Sequence, residues 1–276
     1  MMKNSCSVWS NYFCELSPEQ RIDAFLECGF TCSEFSDEDG AILLQRGSGE
    51  AEGAKLKRYA DERGFAFPQG HLLLSADICN PDSVDVLKNW LDLFLSLGIR
   101  SAVLHAAGGA DLTAEQRFER RIAALRALAA YLRGTDLTIC LENLMHETCP
   151  RTSADLMRYI DAAGGDHLGI CLDTGHLNVC RCQYGVAETQ REFIQNSGAR
   201  LKALHIADND GSSDQHLMPY GRGCVDWGEV MAALGETGYS GLFNLEIPGE
   251  CCAPLELKKI KLRYIGRMCA YMLASR

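Results

Sequence analysis

Short apolar runs alternate with longer amphipathic stretches along the whole chain, and that alternation predicts strands each followed by a helix. The predicted strands are Cys6–Ser10, Phe30–Phe35, Phe65–Leu74, Ile99–Leu104, Leu137–Leu141, His167–Leu172, Leu201–Ile206 and Leu242–Leu245. Several carry no charge, which suits strands buried on both faces in a parallel sheet. The segments between them carry helix punctuation. Ser17-Pro18-Glu19-Gln20 supplies an N-cap, a proline in the first turn and a capping-box glutamine, and this helix stops at Gly29. A polar, glycine-bearing stretch from Ser36 to Gly53 precedes a helix ending near Arg63. Asn80-Pro81 opens a helix carrying Val84, Leu87, Leu91, Phe94 and Leu95. Thr113 to Gln116 is a second capping box, whose helix bears Phe118, Ile122, Leu125, Leu128 and Leu132 as an apolar stripe. Further helices are predicted at Thr152–Ala163, Val186–Gln195, Trp227–Glu236 and Pro254–Leu273, with a long polar loop at Ala207–Val225.

Eight strand–helix units in 276 residues, with no composition break or linker, predict one domain over residues 1–276 built as an α/β (β/α)8 TIM barrel. A doubly wound open sheet is the alternative. It would show a glycine-rich phosphate fingerprint after the first strand, and Trp9-Ser-Asn-Tyr12 has none.

Composition narrows the function classes. Hydrophobic content of 47% is that of a globular chain with a sizeable core. A net charge of −10 argues against a nucleic-acid partner and against a membrane surface. The 14 cysteines lack the spacing of a disulfide framework, and some, such as Cys140 and Cys171, sit inside apolar runs. They are expected as reduced thiols of a cytoplasmic protein. Met1 to Cys6 has no apolar leader pattern, and no run is long enough to span a bilayer.

In a barrel of this kind, chemistry sits at the mouth formed by the C-terminal strand ends. The chain places His71, His105, Glu142, Asp173, His176, His205 and Glu246 there, with Asp214 and His216 in the loop after the seventh strand. Only His146 and His167 of the seven histidines fall outside this set. A single strand-end histidine is ordinarily a hydrogen-bonded core residue, and a single carboxylate ordinarily caps the next helix. Glu142 and Glu246 are harder to explain so, because each follows a largely apolar strand without a charged residue. Together, four carboxylates and five imidazoles in one cavity need a positive counter-charge. A divalent cation supplies it, and mixed imidazole and carboxylate donors suit Zn²⁺, Mn²⁺, Fe²⁺ or Co²⁺ better than Ca²⁺.

The sequence resembles the sugar phosphate isomerase/epimerase family of the xylose isomerase-like TIM barrel superfamily. The resemblance rests on Leu141-Glu-Asn143, Leu172-Asp-Thr-Gly-His176, Leu204-His-Ile-Ala-Asp208, Asp214 to Gly223 followed by Asp226-Trp227, and Gly238-Tyr-Ser-Gly241 leading to Leu245-Glu246. It implies a divalent metal ion (Mn²⁺, Zn²⁺ or Co²⁺) held by Glu142, Asp173, His205 and Glu246. It further implies that Glu142 and Glu246 move a proton off and onto a substrate carbon through a metal-stabilised enediolate. The substrate is a small sugar, sugar phosphate or related keto-polyol. Substrate contacts are then expected from His71, His105, His176, Asp214, His216 and Arg222. Trp227 is expected to pack beneath the loop, and Cys180, Cys182, Cys251 and Cys252 to be plain thiols. Such barrels often form dimers or tetramers, so a homo-oligomer is compatible with the resemblance.

A three-metal branch of the same superfamily, the apurinic-site endonucleases, is matched by His71, His105, Glu142, Asp173, His176, His205, Asp214, His216 and Glu246 together. Against it stands the polar stretch after the second strand, where Asp37, Glu38, Asp39 and Glu50 face Arg46 as the only basic residue. Gly221-Arg-Gly223 with Asp226-Trp227 also resembles the sugar branch more closely. An inosose-dehydratase-like lyase is a further alternative, and a non-catalytic sugar-binding protein comes last.

Overall fold

The computed structural model describes residues 5–275. The strands are β1 (Cys6–Val8), β2 (Cys32–Phe35), β3 (Ala66–His71), β4 (Ser101–His105), β5 (Thr138–Glu142), β6 (Leu168–Asp173), β7 (Leu201–His205) and β8 (Phe243–Leu245). The helices are α1 (Pro18–Glu27), α2 (Asp37–Arg46), α3 (Gly49–Asp61), α4 (Asp82–Leu97), α5 (Ala114–Tyr131), α6 (Ser153–Ala163), α7 (Thr174–Tyr184), α8 (Gln190–Ser197), α9 (Trp227–Glu236) and α10 (Leu255–Ala274). Strands β2 to β7 form one parallel sheet in sequence order, and β1 pairs in parallel with β8. Two parallel bridges close the ring, Trp9 to Glu34 between β1 and β2, and Ile206 to Leu245 between β7 and β8. The architecture is therefore the predicted (β/α)8 TIM barrel.

Two kinds of core hold it. Between strands and helices lies a continuous apolar layer that includes Phe25, Phe65, Leu91, Phe94, Leu125 and Phe193. Burial of such side chains contributes about 1.5–3 kcal/mol each and gives the ring its outer clamp. Inside the ring, Val103, Cys140, Cys171 and Ala203 form a separate small cluster. Beside it the interior is polar, with Ser7, Glu34, Gln69 and Asn244 all buried.

Two stretches differ from the sequence expectation. Ser36–Gly53 is helical almost throughout. Ser36 Oγ caps α2 by accepting from Asp39 N, and Ser48 Oγ caps α3 by accepting from Ala51 N. The glycines that suggested a loop are instead small contacts. A Cβ on Gly49 would sit 2.4 Å from Asn89 O, and one on Gly53 2.8 Å from Leu93 O, so glycine lets α3 lie against α4. The second difference follows β6. Helix α7 starts at once, with Asp173 as its N-cap, and a separate α8 follows after Gly185.

A buried ion pair ties α1 to α2: Arg21 Nη1 lies 2.7 Å from Asp39 Oδ1, and Arg21 Nε donates to the carbonyls of Phe13 and Leu16. Ser10 Oγ donates to the other carboxylate oxygen. Arg21→Met leaves Asp39 buried without its partner and is expected to cost about 3–5 kcal/mol. The double variant Arg21→Met/Asp39→Leu is expected to recover most of it. Urea unfolding midpoints measure both, and a loss under about 1 kcal/mol in the single variant would show that solvent reaches the pair.

Candidate active site

Strands β3 to β7 end on His71, His105, Glu142, Asp173 and His205, and Glu246 directly follows β8. The register sets neighbours side by side, His105 opposite Glu142 and Asp173 opposite His205. Parallel strands of matched length thus deliver their last side chains to one mouth. His176 comes from the first turn of α7, where its N–H donates to Asp173 Oδ1 at 2.6 Å. Asp214 and His216 come from the loop between β7 and α9. That loop is anchored by Asp208, which accepts from Val225 N and Trp227 Nε1, each at 3.0 Å. Trp227 is accordingly buried beneath the loop. His216 has φ 45°, a left-handed backbone held at the site.

Glu142 is the hub. Its Oε1 lies 3.2 Å from both His176 Nδ1 and His205 Nδ1, and its Oε2 lies 3.1 Å from His105 Nε2 and 3.5 Å from His71 Nε2. Glu246 Oε2 lies 3.0 Å from His205 Nδ1. Asp214 Oδ2 lies 3.4 Å from His176 Nε2 and 2.9 Å from His216 Nε2.

The hydrogen-bond pattern assigns tautomers. A carbonyl only accepts, so the Nδ1 atoms of His71, His176 and His216 carry hydrogen toward Leu72 O (2.6 Å), Asn143 O (2.9 Å) and Glu246 O (2.9 Å). Their Nε2 atoms then face the cavity. His205 is reversed: Nε2 bonds Glu34 Oε1 at 2.9 Å, leaving Nδ1 toward Glu142 and Glu246.

A cation fits among these atoms. Glu142, Asp173, His205 and Glu246 each offer a donor atom within 4.8 Å of the others. Asp173 Oδ2, His205 Nδ1 and Glu246 Oε2 are buried with no hydrogen-bond partner. Buried acceptors left facing one another are costly, and a shared divalent ion satisfies them together. Glu34 supplies the outer support such a ligand histidine ordinarily has. Cys171 also points at Glu142 and His205, but burial pushes its thiol well up and it stays protonated.

Without an ion, protons take up the strain. Burial opposes ionisation of Glu142, but the charges on His205 and His105 outweigh it and hold the carboxyl well below its usual range. Burial likewise opposes ionisation of Glu246, and His205 brings it down to about 2. Burial disfavours charge on His216, yet its bond to Asp214 raises it to about 10. Burial lowers His105. Burial first, then repulsion from Glu142, Glu246 and Asp214, raises Asp173 to about 7 despite the opposing pull of His176.

Nine of the residues expected from sequence are thus brought together: His71, His105, Glu142, Asp173, His176, His205, Asp214, His216 and Glu246. Arg222 is not; it lies exposed on the outer part of the β7–α9 loop, its charge beside Asp210. Cys180 is buried on α7 and donates to Leu144 O at 3.6 Å, whereas Cys182, Cys251 and Cys252 are exposed thiols. Sequence reading missed Glu34. Gln69 Nε2 donates to its Oε1 at 3.1 Å, and Asn244 Nδ2 to its Oε2. The signal was present, since a lone carboxylate inside the strand Cys32-Ser-Glu-Phe35 is as unexpected as Glu142.

Fold and site together define a class: a closed parallel (β/α)8 barrel whose mouth gathers carboxylates and imidazoles able to hold a cation. The profile of the Xylose isomerase-like TIM barrel family matches residues 22–266, and the chain belongs to that family. It is 27% identical over 252 residues to an L-ribulose 3-epimerase of Mesorhizobium japonicum, covering 87% of this chain and 78% of that protein. It is 25% identical to a D-psicose 3-epimerase of Enterocloster bolteae, covering 70% of this chain and 65% of that one. The match to an uncharacterized protein, y4fM of Sinorhizobium fredii, is 28% identical, covers 60% of this chain and spans about half, 52%, of that protein. A solved structure of L-ribulose 3-epimerase superposes with a TM-score of 0.80 at 19% identity, over 99% of this chain and 95% of that one.

Folding raises the pKa of Asp173, so its proton favours the folded state at low pH and that contribution is lost as pH rises toward 7. A cation displaces the same proton. The gain in Tm on adding Mn²⁺ is therefore expected to be larger at about pH 7.5 than at about pH 5.5, and Asp173→Asn to remove most of that difference. Calorimetric scans at the two pH values measure it. An equal gain at both would mean that Asp173 yields no proton to the ion.

Proposed function

We propose that the chain is a divalent-metal-dependent isomerase or epimerase of a small sugar, sugar phosphate or related keto-polyol. The reading rests on one observation: Glu142, at the end of β5, and Glu246, directly after β8, converge with Asp173 and His205 on a common space, where Asp173 Oδ2, His205 Nδ1 and Glu246 Oε2 are buried without a hydrogen-bond partner. Relatives that are 3-epimerases support it.

A cation (Mn²⁺, Zn²⁺ or Co²⁺) held by Glu142, Asp173, His205 and Glu246 would polarise the substrate's carbonyl and hydroxyl oxygens and so acidify the carbon between them. The remaining chemistry belongs to the chain. Glu142, at the end of β5, and Glu246, directly after β8, would stand as carboxylates kept ionised by the cation that they share with Asp173 and a neutral His205. One takes the proton from the carbon next to the carbonyl, and the other returns a proton to the opposite face. His176 and His216, fixed through their Nδ1 hydrogens, offer Nε2 to substrate hydroxyls, with Asp214 accepting beside them. His71 and His105 line the Glu142 side. Arg222, on the rim, would meet a distal hydroxyl or an anionic group of a longer substrate. Buried strand ends hold these groups in place before substrate arrives, so little reorganisation accompanies proton transfer.

Incubation with L-ribulose or D-psicose in D₂O is expected to wash deuterium into the carbon next to the carbonyl. Glu246→Gln should slow that exchange by about 10²–10⁴-fold. Exchange at the wild-type rate in the variant would remove Glu246 as a base.

A second reading has its own observation. His71, His105 and Glu142 form another group able to hold an ion, and Asp214 is flanked by the Nε2 atoms of His176 and His216. That arrangement suits a multi-metal phosphodiester hydrolase. Metal content of the purified protein by mass spectrometry distinguishes the two. One ion per chain, unchanged in His71→Ala, supports the epimerase; three ions, reduced by His71→Ala and by His216→Ala, support the hydrolase.

A further inference from the structure

Outside the mouth, α5, α6 and the loops leading into them enclose a groove of about 890 Å³. Its lining includes Arg117, Arg121, Arg126, Arg151, Arg158 and Tyr159. A chain of net charge −10 thus gathers five guanidinium groups in one place. Among the described residues none of the five is paired with a carboxylate; the arginine ion pairs are made by Arg21, Arg46, Arg63, Arg191 and Arg200 instead.

The five are oriented but not neutralised. Arg121 is 1% exposed. It donates from Nη1 to Thr148 O at 2.8 Å and to Tyr159 Oη at 3.2 Å, and from Nη2 to Gly108 O at 3.0 Å. Its Nε is buried without a partner. Arg117 donates to the carbonyls of Gly109 and Leu112, and Arg126 to Ala162 O at 2.6 Å. Arg151 donates to Met145 O at 3.1 Å and stacks 4.4 Å from the Tyr184 ring centre, and Arg158 stacks 4.1 Å from that of Phe118. Carbonyls and rings fix guanidinium planes without supplying counter-charge. Four acids share the lining, Glu115, Glu119, Glu147 and Asp155. Asp155 is committed to the backbone N–H groups of Arg151 and Thr152. The three glutamates are exposed and pair with none of the arginines.

We propose that this groove binds a phosphorylated small molecule, a phosphate ester or short polyphosphate, on Arg117, Arg121, Arg151 and Arg158. Oxygens of such an anion supply the acceptors that these fixed donor edges lack, and the flanking Arg126 adds to the field. Arg121 joins the loops after β4 and β5, so the anion rests against segments that begin at His105 and Glu142. The site stands apart from the chemistry at the mouth and does not depend on it.

Isothermal titration of the metal-loaded protein with pyrophosphate tests this. Wild type is expected to bind with an affinity that falls as salt is raised from about 50 to 200 mM. Arg126→Glu/Arg158→Glu should weaken binding by about tenfold or more, the effect of losing one charge-assisted hydrogen bond. Both residues are exposed, and the milder Arg126→Ala/Arg158→Ala, expected to bind at an intermediate level, guards against a folding defect. Two outcomes would overturn the proposal: no heat of binding at about 10 mM pyrophosphate in wild type, or wild-type binding by both double variants, which would place the anion elsewhere on the chain.

Discussion

Carboxylates that repel one another share a buried space at the mouth, and the rest of the structure is arranged around that constraint. Glu142, Asp173 and Glu246 place oxygens within 4.8 Å of each other and of His205. In such a setting each negative charge raises the cost of the next. Imidazoles around the rim relieve part of it, and Asp173 shows what is left, its pKa raised to about 7 by burial and by its neighbours. A ring of strands ending at the same level is what forces the crowding, and a shared cation would relieve it.

The interior below the mouth serves the same end. Glu34 is fixed by Gln69 and Asn244 and in turn fixes the Nε2 of His205, so Nδ1 is oriented toward the cavity before any ion arrives. Asn143 links the next two strands: its side chain donates to Asp173 O and accepts from Asp173 N, and its carbonyl receives His176 Nδ1. Asp173 has two duties, one oxygen capping α7 and the other free toward the cavity. Ligand geometry here is set by backbone and outer-layer hydrogen bonds rather than by loop conformation.

Much of this was legible in the sequence, for reasons that also explain the gaps. Apolar runs with capping boxes at Ser17 and Thr113 located strands and helices, because period and caps are local signals. Charged residues at the ends of apolar runs located the mouth, because an unpaired carboxylate there has no cheap explanation. Helix α2 and the first turn of α3 were hidden because their glycines act through contact with α4, a long-range fact that reads locally as a loop signal; the rest of α3 was expected as the helix ending near Arg63. Helix α7 was hidden because its residues from Thr174 to Cys180 are all buried, with Leu177 and Val179 interleaved among Gly175, His176 and Asn178, so no apolar stripe set against a polar face marks it. Glu34 was hidden by position: it lies one residue before the end of β2, so attention to strand tips passes over it.

The two metal-site readings differ in what they ask of Glu142. A carboxylate that bridges ions has both oxygens committed and is a poor base, whereas one bound through a single oxygen keeps a lone pair for a substrate proton. Here Oε1 faces His176 and His205 while Oε2 faces His71 and His105, so the carboxylate divides the mouth into two halves. The occupancy of the His71–His105 half decides which chemistry the Glu142 carboxylate can do. If those imidazoles bind substrate oxygens, Oε2 is free to exchange protons, and Glu142 with Glu246 forms a shuttle. If they bind a second ion, the same oxygen is held as a ligand, and the mouth is suited to activating water instead. The fold accommodates both, which is why the number of ions, more than the identity of the residues, separates an epimerase from a hydrolase on this framework.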